Sequence, residues 1–191
     1  MDLKLLLQLV GITLGLLYLW LEYRADIRLW VVGLIMPCVH GTLYFTAGLY
    51  ADSAMQLYYV LAGIYGWVVW YNSPQRKESA TRTIGHTPHR WWPTLIAVYG
   101  AIHAVLYLVL QHLTDSTVPF WDAMTTALSV VAMWMLARKR VEQWLIWGIV
   151  DLITVGLYLY KGIPITAGLY ALYTVLAVVG WRRWCRLAKQ Q

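Results

Sequence analysis

The chain has 191 residues, 60% of them hydrophobic and only 13% charged, with a formal net charge of +6. A soluble domain carries about 25% charged residues, and here the apolar residues come in runs of roughly 20 divided by short polar breaks, as in a polytopic membrane protein. The two cysteines, Cys38 and Cys185, are neither a disulfide framework nor a metal pattern, and no metal site or cofactor is expected.

Seven spans are predicted, at 4–22, 28–47, 51–71, 92–112, 117–137, 141–160 and 165–185. Met1-Asp-Leu-Lys4 opens straight into the first, with no small-residue cleavage site, so no removed signal peptide is expected. Glu22-Tyr-Arg24-Ala-Asp26-Ile-Arg28 is too charged for hydrocarbon and ends it. Gly48-Leu-Tyr-Ala-Asp52 is a tight turn, and Asn72 to Arg90 is a long loop rich in Pro, Ser, Thr and charge. Asp115-Ser-Thr-Val-Pro119 and Lys161-Gly-Ile-Pro164 are short turns in which proline starts the next helix.

Lys and Arg set the orientation. Lys4 and Lys161 lie on the N-terminal side, and the other thirteen of the fifteen lie on the opposite side. The positive-inside rule then places the N-terminus outside and the C-terminus in the cytoplasm. These charges are spread over four short loops, so they point to anionic lipid rather than nucleic acid.

The chain repeats itself at an offset of 114. Arg24 meets Arg138, Trp30 meets Trp144, Ile35 meets Ile149, Leu43-Tyr44 meets Leu157-Tyr158, and Gly48 meets Gly162. Tyr59 meets Tyr173, and Gly66-Trp67 with Trp70 meets Gly180-Trp181 with Trp184. Trp20 with Trp134 extends the match upstream. The identities include Trp, Gly and Arg, which apolar composition alone does not produce. The unit is three helices, with the fourth span unmatched. That predicts two parallel repeats joined by a linker helix, divided as 1–71, 72–112 and 113–191. Parallel repeats belong to transporters with a site near the bilayer midplane.

The candidate site centres on the sixth span. Asp151 lies about seven residues, or roughly 10 Å of helix, from Trp144. A carboxylate at that depth costs on the order of 2.5–3.5 kcal/mol, so it faces a cavity or a partner. Trp147 is one turn before it on the same face, too deep to be an interfacial anchor. An aromatic plane beside an anion suits an organic cation. Thr154, which closes this stretch, is taken with them as a substrate-binding residue. The alternative for Asp151 is a structural hydrogen bond to a neighbouring Thr or Tyr.

The offset places Asp151 opposite Pro37, which removes a backbone hydrogen bond in the second span and is either a hinge or a static kink. Gln56 shares a face with Tyr59, Gly63, Gly66 and Trp67 and offers both donor and acceptor groups, for a substrate or for an interhelical bond. Tyr59 and its mate Tyr173 are expected to line the cavity. Trp67, Trp70, Trp181 and Trp184 read as interfacial anchors, as do Trp91, Trp92, Trp121 and Trp144. Asp122, Thr125, Thr126 and Ser129 form a polar stripe, an entry path or helix glue. His40 and His103 read as hydrogen-bonded packing. No Gly-x-Ser-x-Gly, HExxH or P-loop is present, and no catalytic residue is proposed.

Several segments carry a family resemblance. Val118-Pro-Phe-Trp121-Asp122, Leu128-Ser129-Val-Val-Ala132, Arg138-Lys139 and Glu142-Gln-Trp144-Leu-Ile-Trp147-x3-Asp151 resemble the PnuC family of vitamin transporters, as do Leu49-Tyr50-Ala51, Gln56 and Ile64-Tyr65-Gly66-Trp67-x2-Trp70. The resemblance implies an all-α membrane protein with a 3+1+3, SWEET-like arrangement of seven helices, assembled as a homotrimer in the bacterial inner membrane. It implies downhill uptake of nicotinamide riboside, thiamine or riboflavin, trapped by cytosolic phosphorylation. The tryptophan-x3-asparagine motif of riboside carriers maps onto Trp147 and Asp151, and the glutamine of the third span onto Gln56. Asp151 stands where those carriers have Asn, Gly63 where Asn is common in the third span, and Pro37 or Met36 where Asn is common in the second. A gained carboxylate and fewer amides favour thiamine, so the chain is expected to resemble the thiamine-transporting branch, with nicotinamide riboside as the alternative. The rival class is a non-transporting vitamin sensor or complex subunit.

Overall fold

The computed structural model describes residues 3–46, 50–72 and 84–190. Among these it has seven α-helices: α1 (Leu3–Tyr23), α2 (Arg28–Thr46), α3 (Tyr50–Tyr71), α4 (Trp92–Leu113), α5 (Pro119–Ala137), α6 (Gln143–Tyr160) and α7 (Pro164–Lys189). Each coincides with a predicted span, and α7 runs four residues past its expected end. At 1.5 Å per residue even the 18 residues of α6 reach about 27 Å, close to a hydrocarbon core. Among the described residues, His89–Leu113, Pro119–Ala137 and Gln143–Tyr160 are both long and apolar enough to cross a membrane.

Helix boundaries follow local chemistry. Pro119 and Pro164 sit at the first position of their helices, where the missing N–H costs nothing. Asp122 in the first turn of α5 complements the helix dipole. At the end of α6 the Ile163 N–H donates to the Tyr158 carbonyl at 2.8 Å, and Gly162 takes φ +72°. That left-handed position is why glycine stands there.

The chain divides into two compact units, residues 1–83 and 84–191. In the first, α2 packs against both α1 and α3. In the second, α4 packs on α5, α5 on α6, and α6 on α7.

The 114-residue periodicity reappears as geometry inside each unit. In the first, Trp30 meets Trp70 edge-to-face, with centroids 5.6 Å apart and planes at 89°. In the second, Trp144 meets Trp184 at 5.8 Å and 85°. Gly66 and Gly180 make room for these rings. A Cβ at Gly66 would overlap the Trp30 ring, and one at Gly180 would lie 2.7 Å from three Trp144 ring atoms. All four tryptophans are buried, which corrects the expectation that Trp70, Trp144 and Trp184 are interfacial anchors. They are packing keys between consecutive helices. Trp67, Trp91 and Trp121 remain exposed, as anchors would be.

The turns that precede α2 and α6 match as well. Ala25 and Lys139 both adopt φ 52°. The Asp26 N–H donates to the Leu21 carbonyl and the Arg140 N–H to the Met135 carbonyl, each at 2.9 Å. Arg24 lies over the Trp20 ring at 4.9 Å, and Arg138 over Trp134 at 5.8 Å.

Candidate functional site

The second unit builds the aromatic–anion site on α6 and α7. Trp147, Asp151, Thr154 and Tyr158 follow at spacings of four, three and four, so they form one stripe along α6. Asp151 is only 8% exposed. Among the described residues no hydrogen bond or ion pair reaches its carboxylate, so the structural-bond alternative gains no partner here. The nearest mutual influence is electrostatic, with Tyr173 of α7. A buried carboxylate without a donor is costly, and an incoming cation offsets that cost. Trp147 is half-buried one turn earlier. The Thr154 hydroxyl donates to the Val150 carbonyl at 2.7 Å, which leaves its oxygen as an acceptor only.

Two tyrosines extend this stripe beyond what the sequence reading found. Tyr158 stacks on Tyr170, with centroids 5.4 Å apart and planes at 19°. Tyr170 in turn meets Tyr173 edge-on at 5.7 Å. The three rings make an aromatic wall continuing from Asp151. Helical spacing from Asp151 to Tyr158 was the available signal, and it was obscured by the many tyrosines near the ends of both helices.

In the first unit, Gln56 and Tyr59 are half-buried on one face of α3. Tyr59 meets Tyr58 at 5.4 Å. The same face continues to Gly63 and Gly66, which receive Leu34 and Trp30 of α2. A Cβ at Gly63 would lie 2.8 Å from Leu34 Cδ2, so an asparagine there requires Leu34 to turn away. Under the 114 offset Gln56 corresponds to Tyr170 and Tyr59 to Tyr173, so both units use the same two helical positions. Pro37 lies inside a continuous α2, its ring against the level of the Gly33 carbonyl.

The polar stripe of α5 is occupied by its own helix. Thr125 and Thr126 donate to the Asp122 carbonyl at 3.1 and 2.8 Å, and Ser129 to the Thr125 carbonyl at 2.8 Å. Asp122 accepts from Ser116 at 2.7 Å. These hydrogen bonds are made within α5 and the turn before it, with Lys161 4.0 Å from Asp122. His103 is hydrogen-bonded to Tyr99 at 2.9 Å and packs on Phe120, as expected of a packing histidine. The His40 side chain lies outside the described residues.

A second polar cluster had no signal in the sequence. Residues 84–88, which lead into α4, run extended along the α5–α6 turn. The Gly85 N–H donates to the Lys139 carbonyl at 3.2 Å, and the Val141 N–H to the Gly85 carbonyl at 3.0 Å. Glu142 clasps this strap. It accepts from the Thr87 N–H at 2.9 Å and the Thr87 hydroxyl at 2.8 Å, and it pairs with His86 Nδ1 at 2.7 Å. Arg140 donates to the His86 carbonyl at 3.1 Å. Burial raises the Glu142 carboxyl, but the hydrogen bonds from His86 and Thr87 outweigh it and hold the group below its ordinary value. Burial pushes the neighbouring Lys139 ammonium down to about 8.

The family described as nicotinamide mononucleotide transporter matches residues 5–186. The nicotinamide riboside transporter PnuC of Escherichia coli is 28% identical over 208 residues, spanning 97% of this chain and 87% of that one. The riboflavin/roseoflavin transporter RibM of Streptomyces davaonensis is 28% identical, over 92% of this chain and 83% of its own. The nicotinamide riboside transporter PnuC of Neisseria mucosa is 23% identical, over 95% and 72%. The crystal structure of the vitamin B3 transporter PnuC shares the fold, with a TM-score of 0.72 at 24% identity, over 95% of this chain and 81% of that one.

Proposed function

Because the chain belongs to the nicotinamide mononucleotide transporter family, we propose that it is a facilitated-diffusion carrier for a cationic vitamin, with nicotinamide riboside as the substrate. As a member of the PnuC vitamin transporters it is a multi-pass membrane protein. The observation that carries the substrate class is Asp151, buried without a described donor one turn from Trp147. In this reading Trp147 stacks on the cationic ring by cation–π contact. Asp151 neutralises the charge, and Tyr173 and Thr154 border it; Gln56 and Tyr59 are the substrate-binding residues we propose on the first unit. The names of the relatives, riboside and riboflavin carriers, support the riboside over thiamine.

Thiamine is the second reading. It is favoured by Asp151 in place of the motif's asparagine and by Gly63 and Pro37 where amides are common. Both candidates are cations, so both suit Asp151.

The remaining mechanism follows from the repeat. Two parallel three-helix repeats, 1–71 and 113–191, would rock about a site near the midplane, with 72–112 as loop and linker helix and Pro37 as hinge or gate. The N-terminus lies outside and the basic end in the cytoplasm of a bacterial inner membrane. An inward-negative potential then favours cation entry by about 2.3 kcal/mol per 100 mV without a coupling ion. Phosphorylation in the cytosol traps the product, and the family resemblance supports a homotrimer.

A competition panel tests the substrate. Purified protein is offered nicotinamide riboside, thiamine and riboflavin at equal concentration. Thiamine outcompeting the riboside would exchange the two readings, and riboflavin outcompeting both would overturn a cation site. Counterflow of labelled substrate in liposomes separates a carrier from a sensor: tight binding without counterflow refutes transport.

A further inference from the structure

Where the strap meets the α5–α6 turn there is a small cavity of about 50 Å³, lined by Thr87, Pro88, Trp91, Trp134, Arg138 and Arg140. It lies just beyond the first turn of α4 and the last turn of α5, two of the helices long and apolar enough to cross a bilayer. It therefore sits at the membrane boundary, on the end that carries most of the basic residues. Two guanidinium groups line it and no carboxylate does. Glu142 is not among the lining residues, and its oxygens accept from Thr87 and pair with His86. Arg140 spends one N–H on the His86 carbonyl and keeps four. Arg138 is exposed and lies 5.8 Å from the centre of the Trp134 ring. Trp91 and Trp134 are 5.6 Å apart, making an amphipathic aromatic border.

We propose that this cavity binds the phosphate of an anionic phospholipid headgroup, held by Arg138 and Arg140 while Trp91 and Trp134 flank the glycerol and upper acyl chain. The size fits. About 10–15 Å³ holds one water-sized sphere, so 50 Å³ takes a phosphodiester and excludes a nucleoside. Guanidinium forks match phosphate oxygens in a bidentate manner. Basic pockets between helices at a cytoplasmic boundary are suited to acidic headgroups. At the matching turn of the first unit Asp26 stands where Arg140 does here, and it is closed onto Arg28 at 2.7 Å. The inference rests on the membrane reading and not on which vitamin is carried.

The test uses full-length protein in detergent, with native mass spectrometry and thermal unfolding as readouts. Phosphatidylglycerol, phosphatidylcholine and inorganic phosphate are added separately. We expect phosphatidylglycerol to be retained and to stabilise at least fivefold more effectively than phosphatidylcholine, the scale of one arginine at a membrane surface. Arg138→Gln, at an exposed position outside the substrate site, removes that preference while vitamin binding stays as in wild type. Equal binding of the two lipids by wild-type protein overturns the proposal, and that comparison needs no variant. A preference that survives Arg138→Gln also overturns it. Stabilisation by inorganic phosphate that phosphatidylglycerol does not match overturns the lipid source.

Discussion

Replacing Asp151 with Asn separates what the carboxylate does for the substrate from what it costs the fold. The side chains are nearly isosteric, so the surrounding packing is kept. Asp151 is 8% exposed and no donor reaches its carboxylate among the described residues. Holding it in the membrane interior costs on the order of 2.5–3.5 kcal/mol. Most of that is released in Asp151→Asn, so the substrate-free variant should be more stable by about 2 kcal/mol, which for a chain of this length raises the melting temperature by about 4–8 °C. Affinity should move the other way. Losing a charge-assisted contact costs about 1.5–3 kcal/mol, a factor of roughly 10–150 in Kd for nicotinamide riboside or thiamine. Riboflavin carries no such charge and supplies the control. Calorimetric titration of the purified variant with all three vitamins, alongside its unfolding curve, reads both effects. If the variant loses affinity for riboflavin as much as for the cations, or melts below wild type, Asp151 is structural and the cation site is wrong.

Trp147→Leu should weaken cation binding by about 1–2 kcal/mol while Trp147→Phe keeps part of it; equal binding by the Leu variant and wild type would remove the stacking role. Gly180→Ala puts a methyl 2.7 Å from a buried Trp144 ring and should cost about 1–3 kcal/mol. Gly100→Ala, with nothing within 4 Å, should gain up to about 1 kcal/mol from helix propensity, and paired unfolding curves check the contrast. Glu142→Ala removes three hydrogen bonds from the strap, about 2–4 kcal/mol at its half-exposed end; hydrogen exchange at the Thr87 amide should speed up by at least tenfold, and an unchanged rate would show that the strap does not depend on Glu142. Lys139 has its folded-state pKa near 8, below the unfolded value of 10.5. The folded state thus pays for a buried charge at every pH below 8, and stability should rise between about pH 8 and 10, a rise that Lys139→Met abolishes.

The spans were legible because hydrocarbon thickness imposes one length and one composition on every helix. The repeat was legible through Trp30, Gly66 and Trp70 against Trp144, Gly180 and Trp184. Their burial was not: the rule that places tryptophan at membrane boundaries describes depth, and a tryptophan near a helix end can still turn inward. Trp70 and Trp184 do so because a glycine one turn before each leaves a slot for the ring of Trp30 or Trp144. Tyr158 and Tyr170 were invisible for a related reason, since a stacked pair between α6 and α7 depends on which faces meet. The strap had no local signal at all. Glu142 lies 56 residues from His86, and nothing in either segment names the other.

The charge order of the two matching turns explains why only one carries a strap. At the offset of 114, Asp26 corresponds to Arg140 and Arg28 to Glu142, so the signs are exchanged. In the first turn the carboxylate comes first. Asp26 accepts the Arg28 N–H at 2.9 Å, as well as its guanidinium, and caps the start of α2. The pair closes on itself, and its Asp26 carboxyl is held below the ordinary value first by that side-chain hydrogen bond. In the second turn the carboxylate comes second, at the N-cap of α6, where its side chain makes no capping bond. The guanidinium ahead of it meets no local carboxylate. Both groups are therefore open to another segment, and residues 85–87 supply what each lacks: donors at Thr87 and His86 for Glu142, and a carbonyl at His86 for Arg140. The same local fold with its two charges exchanged thus becomes a docking point. The exchange also leaves the remaining donors of Arg140 beside Arg138 at the membrane boundary, whereas in the first turn Arg24, the counterpart of Arg138, stands over Trp20 with the acidic Asp26 in the place of Arg140.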